Sequence, residues 1–112
     1  MRSKPKWALS DVKALVADGC LLVTQRACEW YPTQSEAVLA VSEVIGALSG
    51  SNFAHNAVLA NHVADVYGVV LDGRGWYLKL SVTEDVDGRQ VVVISFHPLE
   101  RALRTRGGLV IP

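Results

Sequence analysis

The hydrophobic rhythm of the chain changes once, near Val63. Before that point apolar residues recur at helical spacing, and after it they alternate every second residue. In the first half, "DVKALVAD" carries Val12, Leu15 and Val16 as an apolar stripe, with Ser10 as its N-cap and Gly19 as its C′ residue. "CLLVT" reads as extended. Thr24 is placed to cap a second short helix through "QRACEWY", stopped near Pro32. The clearest local signal is Thr33 with Glu36 three residues later, a capping box. It opens a helix with Val38, Val41, Ile45 and Leu48 on one face, ending near Gly50. "SNFAHNAVLANH" fits a short strand, a turn of helix or a loop.

In the second half, "DVYGVVL", "GWYLKLSVT" and "QVVVISFH" are three strands separated by "DGR" and "DVDG". Connections this short predict an antiparallel meander. Helices first and a sheet afterwards give an α+β fold, with the helices packed on one sheet face. The 112 residues read as a single domain.

Burial fixes an expected register. Trp76, Leu78, Leu80 and Val82 share one face, and Tyr77, Lys79 and Ser81 the other. In the last strand, Val92, Ile94 and Phe96 oppose Val91, Val93, Ser95 and His97. Matching the large apolar sets pairs Leu78 with Phe96, Leu80 with Ile94 and Val82 with Val92. The loop is then Val86, Asp87 and Gly88, with Gly88 in the left-handed region. His97 is the last paired residue, because Pro98 has no N–H to donate. Tyr77 stands across from His97 on the polar face, and Lys79 lies two residues along it.

Composition narrows the class without naming a function. Half the residues are hydrophobic and a fifth are charged, as in a globular protein. No apolar run approaches the ~20 residues of a membrane helix. The basic residues at the N-terminus precede no apolar core, so it does not read as a signal peptide. Cys20 and Cys28 form no zinc or disulfide pattern, which points to a reduced, cytoplasmic setting. The net charge is zero but uneven. Arg2, Lys4 and Lys6 make the first ten residues +3; Arg101, Arg104 and Arg106 against Glu100 make the last fifteen +2, leaving −5 between them. Basic ends suit phosphate contacts, or are simply solvated tails.

A phenol, an imidazole and an ammonium on one sheet face suit phosphodiester cleavage without a metal. Cutting RNA needs a base for the 2′-OH proton, a cation for the charge on phosphorus, and an acid for the 5′-oxygen. Histidine titrates near ~6.5 and can serve as base or acid. No carboxylate cluster, P-loop, nucleophile elbow or metal motif competes. Against this, a strand-end histidine is often only solvated, and a lysine near a sheet edge guards against aggregation.

The segments "SDVKALVADG", "VIGALSGSNF", "DVY", "GWYLKLSV" and "VVVISF" resemble, in order and near spacing, the MqsR (motility quorum-sensing regulator) family of bacterial toxins, over about residues 10–96. The resemblance implies a RelE-like α+β toxin fold and a sequence-specific, metal-independent endoribonuclease. Such a toxin cuts mRNA at short GC-containing sites, leaves a 2′,3′-cyclic phosphate, needs no cofactor, and is neutralised by a cognate antitoxin. Tyr77, in "WYLK", matches the family's catalytic tyrosine. His97 falls where the family has a lysine after "SF", and His55, in "NFAH", where it has another. Ala64 stands where some members have glutamine. Histidine can shuttle a proton as well as carry charge, so His55 and His97 become candidates for base and acid, in either order. His62 is the alternative second histidine, because the stretch from Ala54 to Val63 is shorter than in the family. Lys79, Tyr67 and Arg101 are the candidate substrate-binding residues. Residues 98–112 extend past the family's end, and their arginines either add phosphate contacts or dock the tail elsewhere. The alternative function is a non-catalytic module that binds RNA or antitoxin on the same scaffold.

Overall fold

The computed structural model describes residues 4–112. Arg2 of the basic N-terminus lies outside them. The fold is a compact α+β unit whose described helices are α1 (Leu9–Ala17) and α2 (Gln34–Ala47). A five-stranded mixed sheet contains β1 (Leu21–Val23), β2 (Phe53–Leu59), β3 (His62–Leu71), β4 (Arg74–Asp85) and β5 (Gly88–Pro98). A small second sheet pairs β6 (Leu103–Thr105) with β7 (Gly108–Val110). No described helix is long and apolar enough to cross a membrane.

The helix ends follow the sequence in part. Gly19, at φ +80°, closes α1. Its N–H donates to the Val16 carbonyl (3.0 Å), and the Cys20 N–H to that of Leu15 (2.9 Å), a Schellman ending. At the other end the N-cap is Ala8 and Ser10 lies inside the helix, so the expected Ser10 cap is not formed. Thr33 does cap α2, its hydroxyl accepting from the Glu36 N–H at 3.2 Å. The expected helix through "QRACEWY" shrinks to one 3-10 turn at Arg26–Cys28, after Thr24 Oγ1 accepts from the Ala27 N–H (3.3 Å).

The strand order is β1-β5-β4-β3-β2. The meander is present and gains β2 from the ambiguous segment. The sheet is not wholly antiparallel, because β1 joins β5 in parallel. Val12 of α1 and Val41, Val44 and Ile45 of α2 pack on Tyr67, Leu78, Leu80, Val91, Val93 and Phe96. The apolar stripes thus close over one sheet face, the main hydrophobic contribution to the fold.

The opposite face is not left open. The chain beyond β5 folds back over it, with the β6–β7 hairpin seated on β3 and β4. A methyl added at Gly68 would stand 3.0 Å from both Leu103 and Thr105, and one at Gly75 would run into the Ile111 carbonyl oxygen. The Gly75 N–H donates to that same oxygen at 3.1 Å. Two glycines on neighbouring strands, Gly68 of β3 opposite Tyr77 and Gly75 of β4 opposite Val70, therefore make the seat that the hairpin needs.

The register is right at one end of the β4–β5 hairpin and wrong at the other. Tyr77 pairs with His97 and Leu78 with Phe96, but Leu80 pairs with Val93 and Val82 with Val91. The turn has two central residues, Val86 and Asp87, between paired Asp85 and Gly88. A bulge opposite Lys79 and Leu80 absorbs the difference at Ile94. Val91 and Val93 consequently enter the core, and Val92 and Ile94 do not. The ladder also continues one residue further than expected, with Pro98 opposite Trp76.

Candidate active site

The Tyr77 and His97 rings lie face to face with centroids 5.0 Å apart and planes 13° from parallel. Both residues are half-buried. Burial pushes the Tyr77 phenol above its ordinary value, so it is a proton donor at neutral pH. His97 Nδ1 lies 2.8 Å from the Pro98 carbonyl oxygen. A carbonyl only accepts, so Nδ1 carries the proton, and in the neutral ring Nε2 keeps a free lone pair. The strand end thus fixes the tautomer and leaves Nε2 as the nitrogen able to accept a proton.

Lys79 stands across from Ser95, next along the same face. Burial, and then the charge of Arg26, push its ammonium below the ordinary lysine value. Sequence reasoning missed Arg26. It comes from the 3-10 turn after β1, which reaches β5 only because β1 joins that strand in parallel: Thr24 donates its N–H to the Val93 carbonyl (3.1 Å) and its hydroxyl to that of Ile94 (3.0 Å). A parallel edge contact between three-residue runs leaves no periodic signal. Two cations near a phenol and an imidazole can hold a phosphate while the ring groups move protons.

Other sequence candidates fall elsewhere. Tyr67 is fully buried on the helix-covered face, pairs with Leu78 and meets Phe53 edge-on at 5.6 Å. Its burial removes it from contact with substrate, and its hydroxyl finds no partner among the described residues. His55 is exposed on β2, opposite Val66, which pairs with Lys79. It shares the face of His97 but sits three strands away, on the order of 14 Å. The two histidines are therefore not assembled as a base and acid pair. His62 opens β3, six residues before Gly68, which faces Tyr77; that places it roughly 20 Å along the strand. Arg101 is exposed in the bend before β6, and Arg106 lies over the Phe53 ring at 5.0 Å. Ala64 is buried. Among the described residues no group of three or more histidines, cysteines and carboxylates gathers in a metal-holding arrangement.

No protein-family model matches the chain, and no curated protein matches it significantly.

Proposed function

We propose that the protein is a metal-independent endoribonuclease that cuts mRNA through 2′-OH attack. We infer also that it acts as the toxin of a toxin–antitoxin pair, on a RelE-like fold similar to the MqsR family. The reading rests on one observation above all: a phenol stacked on an imidazole of fixed tautomer, beside Lys79 and Arg26. The likeness of "GWYLKLSV" and "VVVISF" to that family supports the same positions.

The groups divide the chemistry as follows. Nε2 of His97 takes the 2′-OH proton, and the 2′-oxygen attacks phosphorus. Lys79 and Arg26 hold the charge that builds on the phosphoryl oxygens. Tyr77 donates its proton to the departing 5′-oxygen. The products are a 2′,3′-cyclic phosphate and a 5′-hydroxyl, and proton exchange with water restores both side chains. His55 is left out of this scheme, because it is too far across the sheet to share a phosphate with His97.

The test is to incubate the purified protein with RNA in the presence of a chelator and to analyse the new ends. Cleavage ending in cyclic phosphate is expected, and His97→Ala lowers the rate ~10²-fold or more while the circular dichroism spectrum is retained. Cleavage unchanged by that substitution removes His97 from the reaction. The distance of His55 from His97 favours one other reading, a module that binds RNA or antitoxin without cutting. A gel shift with no new ends would support it.

A further inference from the structure

Beside His97 lies a cleft of about 300 Å³ whose lining includes Arg26, Glu29, Trp30, Arg74, His97 and Glu100. It opens where β1 stops pairing with β5 and the chain turns away through the 3-10 turn. Tyr31 pins that turn to the sheet: its ring stacks on Phe96 at 6.2 Å, with planes 8° apart, and meets Trp76 at 6.3 Å. Trp30, one residue earlier, is 56 % exposed although it is among the largest apolar side chains of the protein. The packing of Tyr31 therefore fixes a tryptophan in solvent next to the imidazole proposed as the base.

The chemistry of the lining discriminates between ligands. Two carboxylates repel a phosphate but accept from an N–H edge. The two guanidinium groups suit a phosphate or a carbonyl edge. An exposed indole offers a face for stacking, which unpaired bases use and paired ones do not. We propose that this cleft receives the nucleobase beside the scissile phosphate, stacked on Trp30 and held at its edge by Glu29 and Glu100. It thereby prefers an unpaired base bearing an exocyclic amine. As a subsite of the nuclease, the proposal rests on the function given above; as a base-binding cleft, it can be tested without cleavage.

The first measurement is quenching of tryptophan fluorescence by the four nucleoside 3′-monophosphates, in the wild-type protein and in the full-length His97→Ala variant. Quenching is expected with the uridine nucleotide weakest, and Trp30→Leu abolishes it while Trp7 and Trp76 still fluoresce. The second is RNA cleavage by Trp30→Leu. KM rises about 5- to 150-fold, the range that base–aromatic stacking spans, with kcat nearly kept. Glu29→Gln combined with Glu100→Gln narrows the gap between the uridine nucleotide and the others. If wild-type protein cuts RNA but Trp30→Leu leaves KM unchanged, the cleft is not a base site and the nuclease reading stands. If no RNA is cut yet the nucleotides quench Trp30 in the expected order, the cleft binds bases and the nuclease reading falls. Equal quenching by all four nucleotides overturns the selection by the carboxylates.

Discussion

Removing the Tyr67 hydroxyl should make the protein more stable. The side chain is fully buried, and its oxygen has no hydrogen-bond partner among the described residues. A buried hydroxyl left unpaired costs about 1–3 kcal/mol relative to hydration in the unfolded chain. Tyr67→Phe deletes that penalty and keeps the edge-on contact with Phe53. The small void left behind returns only a few tenths of a kcal/mol, so the expected net gain is about 1 kcal/mol. In a domain of this size that raises Tm by roughly 3–6 °C. Urea unfolding followed by circular dichroism reads the same gain as a later midpoint at constant slope. There is also a pH signature. Burial first, then the charge of Asp65, push the Tyr67 phenol up to about 12, against a smaller opposing effect of Arg106. The unfolded chain releases that proton near ~10. Stability from this group is therefore complete below ~10 and is lost as pH rises toward about 12, by about 2–3 kcal/mol in all. The Phe variant lacks this part of the alkaline slope. Destabilisation by 1 kcal/mol or more would refute the reasoning, since it would mean that the hydroxyl makes a bond worth keeping.

Three further outcomes follow from the same geometry. Asp65 is fully buried and accepts from the Lys6 N–H (2.9 Å), the Trp7 N–H (3.2 Å) and Asn56 Nδ2 (2.8 Å). Asp65→Ala strands those donors and unties the segment at Lys6 and Trp7 from β3, at a cost of about 3–5 kcal/mol in urea unfolding; a loss under 1 kcal/mol would show that the segment does not need it. Gly75→Ala drives a methyl into the Ile111 carbonyl, 2.8 Å from Leu99 and 2.9 Å from Val110. It should cost about 2 kcal/mol or more and speed amide exchange in β6 and β7, and a change within 0.5 kcal/mol would contradict the seating of the hairpin. Tyr77→Phe keeps the stacked ring and removes the acid, so kcat for RNA should fall ~10²-fold with KM nearly constant; an unchanged kcat would strike the phenol from the mechanism.

The parts of the fold legible in the sequence were those with a period. The three long strands, the Thr33 cap and the Gly19 ending each carry a local physical cause, and burial placed Tyr77 across from His97. The run Val91, Val92, Val93, Ile94 hid the bulge, because an unbroken apolar stretch satisfies either face and cannot report which residue is extra. Burial could not assign Tyr67 to the inner face, since Val66 and Val70 make the other face of β3 apolar as well, and alternation alone does not say which face is covered. The C-terminal hairpin did leave a trace. Leu103, Thr105 and Val110 alternate around Arg106 and Gly107, a strand pattern bent at a turn. Arg26 and Trp30 left none, for they reach the site through tertiary contact alone.

Ile94 is a spare tooth in an otherwise matched zipper. Val93 already faces Leu80, and Ser95 already faces Lys79. Excising Ile94 would let both halves of the ladder mesh without moving any partner, so Tyr77 and His97 would still meet. What would disappear is the bulge, together with the carbonyl that accepts from the Thr24 hydroxyl, one of the contacts that seat the turn bearing Arg26. A single codon's loss would therefore separate the two roles of this strand: holding the reactive rings together, and steering the neighbouring loop toward them.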